Sequence, residues 1–256
     1  MLDNKEIMAI ALQQSAYDCN CKPEDFTKSE NVIVNSYKNN KARNYLPLPL
    51  ECDLVSYGNN IVAQVSDRTR DKVKKYIEKY EIYHCFETPN IYTLNNALSE
   101  YNLEVCFMAE YFLPDVTQLK ELKCEYELRI LQQSDFADLY DGTWVNAICE
   151  AKKELDVFGE GAYDKGILIG LAACSADCDN MYQIGVDVLP QYRRQGIASS
   201  LTSKLAIEIL SLGKVPFYCA AWSNIRSVKN EIRSGFKPGW VELTARDKEF
   251  VKKMIK

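Results

Sequence analysis

From Asp187 to Leu210 the sequence reads DVLPQYRRQGIASSLTSKLAIEIL, an apolar run, then a short cationic stretch with one glycine, then a strongly periodic helix. No other segment constrains the fold as much, because a strand delivered into a helix through a glycine-bearing turn is a building unit of α/β architecture. Ile197, Leu201, Leu205 and Ile209 recur at fourfold spacing, Ala198, Leu210 and Leu212 widen the stripe, and Gly213 stands where a helix of this phase ends. Such a stripe has to face a core. Helix starts leave backbone N–H groups without partners and carry positive partial charge, so the lead-in Arg193-Arg194-Gln195-Gly196 suits an anion, most simply a phosphate.

The chain has 256 residues, enough for one large domain or two of roughly 130, and two fits its organisation better. Lysine and arginine number 31 against 36 acids, a formal charge of −5, and no basic block suits a nucleic-acid backbone. The opening MLDNKEIMAIALQQSAYDCN has too short an apolar stretch for a secretion signal or a membrane span, which points to a soluble cytoplasmic protein. Ten cysteines in a chain of this size read as reduced thiols. Their spacings, CxC at Cys19 and Cys21 and CxxxC at Cys174 and Cys178, do not form a zinc site, and His84 is the single histidine, so no metal is expected.

Periodicity predicts a helix over Lys5–Tyr17, a strand over Ile61–Val65, a helix over Asp71–Tyr80 and a strand over Val105–Ala109. Tyr111–Glu121, with Leu113-Pro114-Asp115, reads as a connector, which sets domains of residues 1–123 and 124–256. Beyond it come a strand over Tyr126–Leu131, a short helix from Ser134 or Asp135 to Tyr140, and a second helix over Trp144–Leu155. A hairpin over Ala162–Leu171 turns at Asp-Lys-Gly, and a strand follows over Met181–Val188. After the periodic helix, Val215–Trp222 reads as a buried strand. A helix then starts at Ser223 or Asn224, puts Ile225, Val228 and Ile232 on one face and stops at Gly235, before a last strand over Val241–Thr244. The order after residue 124 is therefore β-α-α-β-β-β-α-β-α-β.

Two common phosphate motifs are excluded, because the stretch has neither GxxxxGK[ST] nor GxGxxG, and Gly159-Glu160-Gly161 reads as a loop before a strand. What remains is Arg193-Arg194-Gln195-Gly196-Ile197-Ala198. With the element order, it resembles the GNAT superfamily of N-acetyltransferases, whose pattern [Q/R]xxGx[G/A] is met by Arg193, Gly196 and Ala198. The resemblance covers about residues 125–245. The first half resembles the extension of a bacterial GNAT subfamily with an unassigned acceptor, as a smaller α/β domain that could be a degenerate GNAT-like partner. The implied fold class is α/β (α+β), a mixed central sheet flanked by helices.

The resemblance implies that Arg193, Arg194, Gln195, Gly196, Ile197, Ala198 and Ser199 cradle the pyrophosphate of acetyl-CoA. Bulk at Gly196 or Ala198 would hold the amides away from the phosphate oxygens. It further implies that the strand bearing Val186, Asp187 and Val188 splays from Tyr218–Ala221, freeing backbone groups for the pantetheine arm and for the thioester carbonyl. Asn224 matches the asparagine that opens the family's later helix, where it is either a cofactor contact or a plain N-cap. Glu231 stands where many members carry a tyrosine acid, and it reads as solvated, with acid–base work open to it if burial raises its pKa. Tyr182, Tyr192 and Tyr218 are alternative acids, and Asp187 and Glu160 candidate bases. Arg226, Lys229 and Arg233 share a helix face and are either solvated or directed to the cofactor's nucleotide phosphate. Tyr83, Phe86, Tyr92, Phe107 and Phe112 read mostly as core, and the neighbours His84 and Cys85 do not form a nucleophile–base pair.

The expected activity is direct transfer of acetyl to a primary amine, with a small-molecule acceptor favoured over a protein tail. The alternative is a catalytically weak acyl-CoA-binding module. Oligomeric state is open, a homodimer included.

Overall fold

The computed structural model describes residues 2–221 and 223–255. In chain order the elements are α1 (Asn4–Cys19), β1 (Val32–Asn35), β2 (Cys52–Ser56), β3 (Val62–Val65), α2 (Arg70–Lys79), α3 (Thr88–Ser99), β4 (Leu103–Pro114) and β5 (Glu127–Gln132). There follow β6 (Asp156–Asp164), β7 (Ile167–Ser175), β8 (Met181–Val188), α4 (Ile197–Ser211), β9 (Val215–Ala221), α5 (Ile225–Arg233), β10 (Phe236–Asp247) and α6 (Lys248–Met254). The chain is mixed α/β. It packs as two compact units, one formed by the segment up to Ala11 with Phe112–Pro238, the other by Leu12–Tyr111 with the segment from Gly239 onward. A single cut near residue 123 does not describe this partition, because the last long strand returns most of its length to the unit that begins at Leu12.

In the unit containing Phe112–Pro238 the strands run in the order β9-β8-β7-β6-β5. β5, β6, β7 and β8 pair antiparallel, and β8 pairs parallel with β9. The β6–β7 turn is Lys165-Gly166 with φ of 49° and 84°, the two positive values of a tight hairpin. α4 lays Ile197, Leu201, Leu205 and Ile209 on the sheet against Phe158, Ile169 and Ala172, each such side chain worth about 1.5–3 kcal/mol on burial. Gly170 permits the approach, since a Cβ there would meet Ile197 Cγ2 at 2.9 Å. The helix ends in a Schellman motif, Lys214 N donating to Ile209 O at 3.2 Å and Gly213 N to Leu210 O at 3.0 Å, with Gly213 at φ 71°.

Several expectations need correction here. Neither helix between β5 and β6 forms. Gln133–Phe136 is one 3₁₀ turn in which Asp135 accepts from Gln132 N at 2.8 Å, and Glu150–Lys152 is another. Carboxylates compete for the donors a helix would use: Asp187 takes the amides of Asn146 and Ala147, and Asp156 takes that of Cys149 at 3.0 Å. The segment stays anchored because Phe136, Trp144, Ala147 and Ile148 bury against Leu131, Leu171 and Ala173. Gly159-Glu160-Gly161 is strand, not loop; a Cβ at Gly159 would meet Ala172 O at 2.5 Å. β4 runs through Leu113 to Pro114, since proline ends a strand without needing a ladder donor. Trp222 lies outside the described residues; the strand before it is Val215–Ala221. Of the five aromatics, Phe86 and Phe112 are buried, while Tyr83, Tyr92 and Phe107 are exposed.

In the unit containing Leu12–Tyr111 the strand order is β1-β3-β2-β10-β4. Leu54, Ala63, Val65 and Leu243 pack with Val73, Ile77, Leu94 and Leu98 of α2 and α3. Its interior also holds a closed polar cluster around Arg43, whose guanidinium meets Asp18 at 2.6 Å and Glu242 at 3.3 Å and lies over the rings of Tyr111 and Trp240. Thr244 donates to Asp53 at 2.7 Å in the same interior.

Candidate functional site

β8 is the strand on which the site is built, because its two edges are paired to different depths. Toward β7 the register runs from Ser175↔Gln183 to Gly170↔Val188. Toward β9 it comprises Met181↔Val215, Tyr182↔Pro216 and Gln183↔Phe217 and, among the described residues, goes no further. The halves Ile184–Val188 and Tyr218–Ala221 are thus not laddered to each other, and backbone groups on the facing edges stay available to a third extended chain.

The end of β8 leads into the cationic loop. Arg193 Nε donates to Val188 O at 2.9 Å, tying the loop to the strand it leaves, and Tyr126 OH donates to Gln195 Oε1 at 2.7 Å. Arg194 and Gly196 both take left-handed backbone, φ 65° and 82°, an unfavourable choice for arginine and an easy one for glycine. Gly196 is the N-cap residue of α4, no side chain caps this terminus, and the first intrahelical bond of the turn is Ser200 N to Gly196 O at 3.0 Å. A Cβ built on Gly196 meets nothing within 4 Å, so there is open space beside this residue at the start of α4. Ile197 is buried and Ser199 Oγ donates to Asn230 Oδ1 at 3.0 Å; both can offer an anion their amides but not their side chains. The uncapped terminus, the absent Cβ and the exposed Arg193 and Arg194 fit a pyrophosphate in shape and charge.

The acid–base candidates separate clearly. Asp187 accepts from Asn146 N and Nδ2, each at 2.7 Å, and from Ala147 N at 3.2 Å. It holds the 146–147 loop across β8, where a Cβ at Gly185 would lie 1.8 Å from Asn146 O. Tyr192 OH donates to Asp164 at 2.9 Å, which commits it elsewhere. Tyr182 lies half-buried on β8, its pKa raised by burial. Tyr218 stands at the first position of β9 beyond the paired register, buried, with Ser227 Oγ donating to its hydroxyl at 3.4 Å. Burial pushes its phenol up to about 12, the Ser227 contact opposing and the Glu231 charge adding.

Glu231 is not solvated. It is fully buried, whereas Ile225 and Ile232 are 55% and 57% exposed, so α5 turns its carboxylate inward and two isoleucines outward, the reverse of the hydrophobic reading. The buried face is polar: Asn230 Nδ2 donates to Thr202 Oγ1 at 3.1 Å and Ser234 Oγ to Ser199 O at 3.3 Å, joining α5 to α4. Asn224 caps α5 by accepting from Ser227 N at 3.2 Å. Arg226, Lys229 and Arg233 are exposed. Glu160 is buried beside Lys204 at 3.4 Å, a pair the sequence did not reveal because strand and helix periodicities place partners only within an element. His84 Nδ1 contacts Glu87 at 2.6 Å, and burial pushes Cys85 up to about 11. Among the described residues no group of three or more His, Cys, Asp or Glu is placed to hold a metal, and no helix is long and apolar enough to cross a membrane.

A GNAT-family acetyltransferase from Novosphingobium aromaticivorans superposes on 56% of this chain and 66% of its own, at TM-score 0.46 and 16% identity. A GCN5-related N-acetyltransferase-like protein from Streptococcus suis covers 60% and 69%, at 0.43 and 16%, and a GCN5-related N-acetyltransferase from Kribbella flavida 60% and 63%, at 0.46 and 14%. Against the first and third of these the chain spans less than two thirds of the relative's length. A search of curated proteins finds no match. The model of the acetyltransferase (GNAT) family matches residues 117–229, the stretch that contains β5 to β9, the loop and most of α5, so this stretch of the chain carries a GNAT acetyltransferase domain.

Proposed function

We propose that the unit holding Phe112–Pro238 carries an acetyl-CoA-dependent N-acetyltransferase that moves acetyl to a primary amine of a small molecule. The observation that carries this reading is the unequal pairing of β8, closed to Val188 on one edge and open beyond Gln183 on the other, with an uncapped helix start at its end. In this reading the amides of Gln195–Ser199 bind the pyrophosphate, flanked by Arg193 and Arg194. Val186, Asp187 and Val188 offer main-chain groups to the pantetheine arm, one N–H polarising the thioester carbonyl as charge develops on its oxygen.

The neutral amine attacks the carbonyl carbon, the C–S bond breaks, and CoA leaves as thiolate. No covalent enzyme intermediate forms. Tyr218 is the best-placed group to meet the sulfur, and a phenol that keeps its proton to about pH 12 acts there as a hydrogen-bond donor. Asp187 is spent on the 146–147 loop, so the proton released by the amine passes to water. The net charge of −5 favours a cationic acceptor. Ten free cysteines suit a reducing, cytoplasmic compartment. Asn224 serves this site by fixing the start of α5.

A second reading, an acyl-CoA-binding module with little turnover, draws on Glu231 at the position where a tyrosine acid is common. Thiol release from acetyl-CoA across an amine panel separates the two. Release that depends on one amine supports transfer, and tight CoA binding without release on any amine supports the module.

A further inference from the structure

The loop before α4 holds an arginine in a conformation that arginine does not favour. Arg194 sits at φ 65°, left-handed backbone that persists in a residue with a Cβ only where the surroundings fix it. Packing does not fix it here, because Arg193, Arg194 and Gln195 are all exposed. Two hydrogen bonds to residues outside the loop do. Tyr126 OH donates to Gln195 Oε1 at 2.7 Å, across 69 residues, and Tyr192 OH donates to Asp164 at 2.9 Å, across 28. They hold residues 192 and 195 and so bracket Arg193 and Arg194.

Both bonds are rooted at one end of the same strand pair. The β5–β6 ladder ends at Glu127↔Tyr163, and Tyr126 and Asp164 are the next residues out on the two chain segments. The rings of Tyr126 and Tyr192 meet edge to face, centroids 5.7 Å apart at 84°, which fastens the two grips to each other. Arg193 Nε on Val188 O adds an anchor to β8, but it acts before the left-handed residue, whereas the Tyr126–Gln195 bond acts after it, next to Gly196 and the start of α4.

We propose that Tyr126 and Tyr192 are positioning residues for the acetyl donor: their hydroxyls hold the 192–195 backbone in the form in which the amides of Gln195–Ser199 receive the diphosphate. The proposal rests on the acetyl-CoA reading of this loop. A loop held in place before the ligand arrives spares the ordering cost of binding, so loss of a hydroxyl should appear as weaker affinity. The test is calorimetry of the full chain with CoA. Tyr126→Phe keeps the ring against Tyr192 and loses only the hydroxyl; it should weaken CoA binding by about threefold to tenfold, the worth of one such hydrogen bond, and Tyr192→Phe by a similar factor. In a Gln195→Met background Tyr126→Phe should weaken CoA no further, because the acceptor is already gone; a tyrosine that served the fold alone would lose as much in both backgrounds. Tyr192→Phe carries the test should Tyr126→Phe fail to fold. Wild-type protein that binds no CoA overturns the reading of the loop and this proposal with it. Wild type that binds CoA while the folded Phe variants bind it as tightly, or a Tyr126→Phe loss undiminished in the Gln195→Met background, overturns the proposal alone.

Discussion

The two compact units bury polar groups to opposite ends. In the unit that begins at Leu12, Arg43 lies 4% exposed among Asp18, Glu242 and stacked aromatic rings, Tyr111 and Trp240 having centroids 4.6 Å apart. Charge there is closed on itself. In the unit holding Phe112–Pro238, polar main-chain groups are left at the parted edges of β8 and β9 and at the uncapped start of α4, while Asp187 is used to pin a loop. The first arrangement specifies a fold; the second keeps donors and acceptors for something else. Polarity near a core therefore marks a binding place only where the partners do not already satisfy one another.

The largest effect that would test this contrast falls on the closed cluster. Arg43→Ala strands Asp18 and Glu242 and should cost about 3–5 kcal/mol of stability, read by urea denaturation. Gly196→Val comes next. It places a β-branched residue at φ 82° and puts bulk over the first-turn amides, so CoA affinity by calorimetry should fall at least about a hundredfold, with a stability loss of only about 1–2 kcal/mol. Tyr218→Phe should lower kcat for acetyl transfer by about tenfold to a hundredfold with CoA affinity unchanged. An unchanged kcat would remove Tyr218 from the chemistry.

The smallest effect is a slope. Burial raises the pKa values of Asp53 and Glu242 in the folded unit. The folded state then keeps protons that the unfolded chain has released, a penalty absent below the unfolded values near 4 and growing as pH rises toward the folded ones. Stability from this pair therefore falls with rising pH. Asp53→Asn, which still offers an acceptor to Thr244, should lose less Tm between pH 5 and pH 8 than the wild type does.

What the sequence made legible follows the range of its signals. The α4 stripe through Leu210, the Lys165-Gly166 turn, the Gly213 stop and the strand–loop–helix passage are set by neighbours within a few residues and are present, whereas Leu212, expected in the stripe, caps the helix end and is 59% exposed. The Trp144–Leu155 helix failed because Asp187, some forty residues on, takes two of its amides. α5 misled for a related reason: Ile225 and Ile232 suggest a buried face, but α4 presents Ser199 and Thr202, and a polar seam prevails with Glu231 inside. Arg43 and Glu242 are 199 residues apart, and no periodicity spans that distance.

The central claim is that the first-turn amides of α4 meet a diphosphate while a pantetheine arm occupies the gap between β8 and β9. A crystal structure with CoA tests it most directly. The account predicts phosphate oxygens within about 3.2 Å of amides in Gln195–Ser199 and an extended chain alongside Val186–Val188. CoA bound elsewhere, or β9 closed onto β8 through Val188 with the cofactor present, would contradict it.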